Sequence, residues 1–192
     1  YVNHDEVNKF IRCNMVVACG LDYRMLNDEQ LVNTLQTVRQ HLLTPRGLRT
    51  LSPRNMLYKS NYNEDQRSQD LASRNGSAWV WPLMFYVKAC FDLGGASFAK
   101  EAEQLLEAFD DEIQTKCVGS IAERFEGDPP HNPRGGISHA TSVAGLLFIN
   151  DLVKKYAPKK PARKACAKRA KTEEAAAEKP KRKCVKKTTN KK

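Results

Sequence analysis

The chain has 192 residues and a formal net charge of +10, but the charge is lopsided. Residues 157–192 hold 15 of the 32 Lys and Arg and only 3 of the 22 Asp and Glu, so they carry +12 and residues 1–156 carry −2. The body therefore lacks the clustered positive charge of a nucleic-acid binder, and no apolar run approaches the ~18 residues that span a bilayer as a helix.

The opening, YVNHDEVNKF, has neither the basic nor the apolar region of a secretory signal. Starting mid-pattern on Tyr1, the chain reads as the end of something larger. Over residues 2–21, Phe10, Ile11, Met15, Val16, Ala18 and Cys19 recur on a helical period, with Gly20 as a stop signal. The next helix is NDEQLVNTLQTVRQHLL: Asn27 caps it, Asp28 and Glu29 favour its first turn, and Leu31, Leu35, Val38 and Leu42 form its apolar stripe. Pro45 closes it.

Residues 44–78 show no sustained period and read as a long loop, kept ordered by Leu48, Leu51, Leu57, Tyr58 and Tyr62. The stretch AWVWPLMFYVKACFDLG (78–94) is apolar on most faces and predicts a buried helix, with Pro82 tolerable only near its first turn. ASFAKEAEQLLEAFDDEIQ is amphipathic, with Phe98, Ala102, Leu105, Leu106 and Phe109 inward. An acidic Gly/Pro-rich loop follows. SHATSVAGLLFINDLVKKY is the last helix, with Lys154 and Lys155 at its negative end. Strand signals are scarce, so the body, residues 1–156, reads as all-α, built of helical hairpins. The Lys/Ala/Pro-rich tail, 157–192, reads as disordered, because it cannot bury enough apolar area to offset the ordering entropy.

The six cysteines, at 13, 19, 90, 117, 166 and 184, include no C-x-x-C pair. Cys13, Cys19 and Cys90 sit in apolar helical contexts and read as small buried hydrophobes. A reduced, cytoplasmic setting is expected. No metal cluster or phosphate loop is visible, so no cofactor is expected.

Three segments, LLTPRGLRTLSP (42–53), RSQDLASRNGSAWVWP (67–82) and GSIAERFEGDPPHNPRGGISHATSVA (119–144), resemble in order the C-terminal part of glycogen debranching enzymes, the amylo-alpha-1,6-glucosidase family. The resemblance covers roughly residues 8–156. It implies the C-terminal portion of an (α/α)6 toroid, with the active site in loops at one end. That ring needs about a dozen helices and five are read here, so the domain is expected to be incomplete in this chain. The implied substrate is glycogen or a branched α-glucan, and the implied partner is the upstream part of the same polypeptide; a membrane or nucleic-acid partner is not expected.

The implied reaction is inverting hydrolysis of α-1,6-glucosidic branch points. One carboxyl protonates the leaving oxygen, and the other activates a water on the opposite sugar face from ~6.5–9.5 Å away. By the segment match Glu123 stands at the general base. From spacing alone it is a solvated turn acid, and Glu126 and Asp128 are its rivals, both also natural loop formers. The family's general acid lies upstream of the matched region, so it is expected outside this chain, and Asp70 is not assigned that role.

Substrate contacts are expected from Trp79 and Trp81, whose rings can stack on sugar C–H faces. At a helix start the two diverge, so Trp79 is expected to face substrate and Trp81 to pack. Arg67, Asp70, Arg74 and Asn75 form a polar cluster suited to sugar hydroxyls. His131 is a candidate for orienting a hydroxyl; its plainer role is a bond to the backbone. The sequence departs from the family where Ser73-Arg74-Asn75-Gly76 replaces a Tyr-His element, where Val80 replaces a proline, and at Ser138–Ser142, where an aromatic is lost. The alternatives are another toroid glycosidase, glucoamylase-like or trehalase-like, and a non-enzymatic helical binding module with a polyanion-binding tail.

Overall fold

The computed structural model describes residues 9–60, 65–116 and 118–156. The expected disorder of 157–192 and the start of the first expected helix, residues 2–8, lie outside them. Six helices carry the described chain: α1 (Met15–Gly20), α2 (Asp28–His41), α3 (Gln66–Asn75), α4 (Trp81–Gly94), α5 (Ala99–Glu107) and α6 (Ala140–Tyr156). A 3-10 turn, Gly95–Phe98, leads into α5, and a π-helical turn spans Glu112–Lys116.

Helix α2 forms for the reasons its sequence states. The Asn27 side chain accepts from the Gln30 N–H at 2.8 Å, and the Gln30 side chain accepts from the Asn27 N–H at 3.1 Å, a reciprocal cap. Leu31, Leu35 and Val38 are buried. Helix α4 is the centre of the packing: α1 and α6 lie along it, α2 touches it, and Pro82, Leu83, Tyr86, Val87, Ala89 and Phe91 are buried on several of its sides. Pro82 stands in its first turn, where the missing N–H costs no helical bond. Each fully buried Leu, Val or Phe of this core contributes about 1.5–3 kcal/mol.

The fold is mostly helical but not all-α. A five-stranded antiparallel sheet runs β1 (Leu43–Thr44), β2 (Gly47–Arg49), β3 (Ala78–Trp79), β4 (Arg124–Phe125), β5 (Pro133–Arg134), in that spatial order. Strands of two or three residues are too short to show an alternating period, which is why the sequence reading missed them. The register places Leu48 opposite Trp79, Trp79 opposite Arg124, and Arg124 opposite Arg134. The sheet thus stitches together the three segments singled out above, which are far apart in sequence.

Two further expectations change. The first helix is shorter than 2–21: residues 9–14 are not helical, and Arg12 makes an isolated bridge to Leu51 instead. The long loop of residues 44–78 contains the β1–β2 hairpin, α3 and the start of β3. Helix α3 has only Ser68 and Ala72 buried, too few apolar contacts to leave a hydrophobic period; Asp65 caps it by accepting from the Ser68 N–H at 3.1 Å.

Candidate active site

The β3–α4 junction builds one wall of a cleft of about 610 Å3. Trp79 and Trp81 line it from this junction, Ser73 and Arg74 from the end of α3, and Arg12, Cys13, Asn14 and Thr50 complete the lining. Both tryptophans line this cleft. Trp79 belongs to a strand and Trp81 opens the helix. The Trp79 indole N–H donates to the Ser73 carbonyl at 3.2 Å. Its ring meets His139 edge-on at 6.4 Å and lies under the Arg124 guanidinium at 5.7 Å. Trp81 meets Phe85 edge-on at 6.2 Å.

Of the expected polar cluster, Arg74 lines the cleft, while Asn75 does not and accepts on Oδ1 from Arg12 Nη2 at 3.1 Å. Arg67 and Asp70 lie on the exposed face of α3, in a helix rather than a loop, and do not line the cleft; Asp70 accepts from Gln66 Nε2 at 3.1 Å.

Glu123 immediately precedes β4 and is half-buried. Its backbone N–H donates to the Gly136 carbonyl at 2.9 Å, and its Oε2 accepts from the Gly136 N–H at 2.9 Å. Among the described residues Oε1 accepts no hydrogen bond. Gly135 permits this embrace. It has φ +76°, and a side chain there would collide with the Glu123 carboxylate. Ser142 Oγ, in the first turn of α6, donates to the Glu123 carbonyl at 3.3 Å. The His139 backbone N–H donates to the Ile121 carbonyl at 2.9 Å, and the ring pairs with Thr141 Oγ1 at 2.8 Å. His139 therefore ties the Trp79 ring to the segment that carries Glu123.

The other two acids of the loop hold the β4–β5 hairpin. Glu126 Oε1 accepts from Arg134 Nη2 at 2.6 Å and Nε at 3.0 Å, and Oε2 accepts from Asn132 Nδ2 at 2.9 Å. Burial alone would raise the Glu126 carboxyl, but the Arg134 and Asn132 bonds and the Arg134 charge outweigh it and hold it below the usual carboxylate range. Asp128 accepts from the Tyr58 hydroxyl at 2.8 Å, while Arg49 Nε donates to the Gly127 carbonyl at 2.7 Å. Burial, aided by the bond to Asp128, pushes the Tyr58 phenol up to about 12. His131 sits at the hairpin tip with φ +58°, its Nδ1 bonded to the Glu126 carbonyl at 2.9 Å, which makes that nitrogen the donor.

Cys13 lines the cleft but is no nucleophile at neutral pH, since burial pushes its thiol up to about 11 against the opposing pull of Arg12. Among the described residues no group of three or more His, Cys, Asp or Glu could hold a metal ion, and no helix is long and apolar enough to cross a membrane.

Sequence reasoning did not single out Arg12, Asn14, Thr50, Arg124 or His139. Their only signal is three-dimensional: each comes next to Trp79 or the cleft through long-range packing.

The sequence profile of the amylo-alpha-1,6-glucosidase family matches residues 1–148, and the chain belongs to that family. Its functional class is that of a glycogen-debranching glycosidase, with a glucan as substrate.

Proposed function

We propose that this chain supplies the general-base half of an inverting site that hydrolyses α-1,6-glucosidic branch points of glycogen. Glu123 takes the proton of the attacking water. A glucosyl unit stacks in the cleft on Trp79 and Trp81, with Arg74 reaching its hydroxyls. The general acid that protonates the leaving oxygen stands on an upstream part of the same polypeptide, in an (α/α)6 toroid that this chain completes. The setting we infer is cytosolic.

The observation that carries the reading is the way Glu123 is held. One carboxylate oxygen is fixed on the Gly136 N–H, and the peptide of Glu123 itself is paired with the same residue. A base that must meet a water at a set angle loses rate when its side chain wanders, so such bracing suits the role. Arg124, the next residue along, covers Trp79, which brings the base segment up to the aromatic wall. The neighbouring acids are already engaged, Glu126 with Arg134 and Asp128 with Tyr58.

Glu123→Gln keeps the shape and the Gly136 bond but cannot accept the proton. Joined to the upstream region and assayed on a limit dextrin, it is expected to lose about 10²–10⁴ in kcat with KM little changed. A variant that keeps wild-type kcat would remove Glu123 from the reaction.

A further inference from the structure

We propose that Arg12 is the positioning residue of the aromatic wall, acting on Trp79 through the last turn of α3 and not on the sugar. The proposal rests on the reading of the cleft as the glucan site.

Helix α3 ends at Asn75, and the carbonyls of its last turn have no partner within the helix. Two side chains take up successive ones. Trp79 Nε1 donates to the Ser73 carbonyl at 3.2 Å, and Arg12 Nη1 donates to the Arg74 carbonyl at 2.9 Å. Arg12 Nη2 also donates to Asn75 Oδ1 at 3.1 Å. The guanidinium therefore grips this turn with two donors, and its charge suits the negative end of the helix.

The grip has a fixed base. The Arg12 backbone bridges Leu51, and the Ile11 carbonyl accepts from the Ser52 N–H at 3.0 Å. From the same strand end, Thr50 Oγ1 accepts from the Gly76 N–H at 2.9 Å, just past the helix. Arg12 and Thr50 thus hold the α3 terminus directly, and the Trp79 indole hangs from that terminus. If the turn slackens, the indole loses its partner and the stacking face tilts. Lysine cannot substitute, since an ammonium has no planar fork with which to grip both oxygens.

The chain's two tryptophans both line the cleft, so intrinsic tryptophan fluorescence of the whole chain reports on this site alone. The experiment titrates a maltodextrin into the 192-residue chain and into Arg12→Ala, Arg12→Lys, Asn75→Ala and the Arg12→Ala/Asn75→Ala double variant. Arg12→Ala is expected to weaken binding about tenfold, the loss of one to two charge-assisted hydrogen bonds. Arg12→Lys, which keeps the charge and most of the stem should the alanine variant fold poorly, is expected to lose about as much. Added guanidinium ion is expected to restore binding to Arg12→Ala and not to Arg12→Lys. The double variant is expected to lose less than the sum of the singles, because both changes release the same turn.

Wild-type affinity in Arg12→Ala and Arg12→Lys overturns the proposal. So do strictly additive losses, which would place Arg12 directly on the sugar. Trp79→Ala separates this failure from that of the underlying reading: if it too binds like the wild type, the cleft is not the glucan site and both fall, whereas a loss in Trp79→Ala beside unchanged Arg12 variants sinks only the role of Arg12.

Discussion

Glu126 and Glu123 are three residues apart and are held differently. The Glu126 side chain is 12% exposed and spends both oxygens on Arg134 and Asn132. Because its folded pKa is depressed, the stability it contributes is full above the ordinary carboxylate range and is lost as pH falls through the depressed value. Glu126→Gln is therefore expected to lower stability by about 1–3 kcal/mol at neutral pH, and the gap to the wild type should close in acid, once Glu126 itself is protonated. Urea melts across the acid range would show it; a gap that stays constant with pH would deny Glu126 this role. Tyr58 has the reverse sign: its folded pKa, about 12, lies above the ordinary value of 10.0, so its contribution is present below pH 10 and fades as pH rises through 12. Tyr58→Phe, lacking the bond to Asp128, is expected to cost about 1 kcal/mol at pH 7 in the same melts. The sequence showed three acids in one stiff loop, and the segment resemblance singled out Glu123. It could not show that Arg134 and Tyr58 occupy the other two, since Tyr58 lies 70 residues from Asp128.

Helices α2 and α6 were legible because each buries a stripe long enough to repeat, α4 because it is apolar on most faces, and α2 also announces its cap. Helix α3 was not, because a mostly exposed helix ending in a polar turn carries no apolar period. The strands escaped for want of length. Helix α1 was overextended because Phe10 and Ile11 continue its apolar period although Arg12 leaves it to bridge Leu51. The packing of α1 on α4 depends on one close approach. A Cβ at Gly20 would lie 2.7 Å from the Phe85 Cα and carbonyl oxygen, so Gly20→Ala must push the two helices apart. A loss of about 1–3 kcal/mol is expected from such overpacking, read as a lowered Tm; an unchanged Tm would mean that α1 yields freely there.

Taken whole, the described chain is a helical body whose short sheet gathers three distant segments into one place. β2 brings LLTPRGLRTLSP, β3 brings the tryptophan segment, and β4 with β5 brings the acidic loop. The resemblance pointed to those segments; their convergence became visible only in the strand register. With the general acid proposed to stand upstream, the chain by itself is expected to release no glucose from a limit dextrin. Measurable turnover by the chain alone would show that it holds both acids. The central claim is that Glu123 activates water. Glu123→Ala removes the base and leaves room for a small anion, and azide attacks without needing a base. In the chain joined to its upstream region, the account predicts that Glu123→Ala loses hydrolysis and that azide restores turnover, giving the β-glucosyl azide by inversion. Hydrolysis at the wild-type rate in Glu123→Ala, or an α-configured azide product, would contradict it.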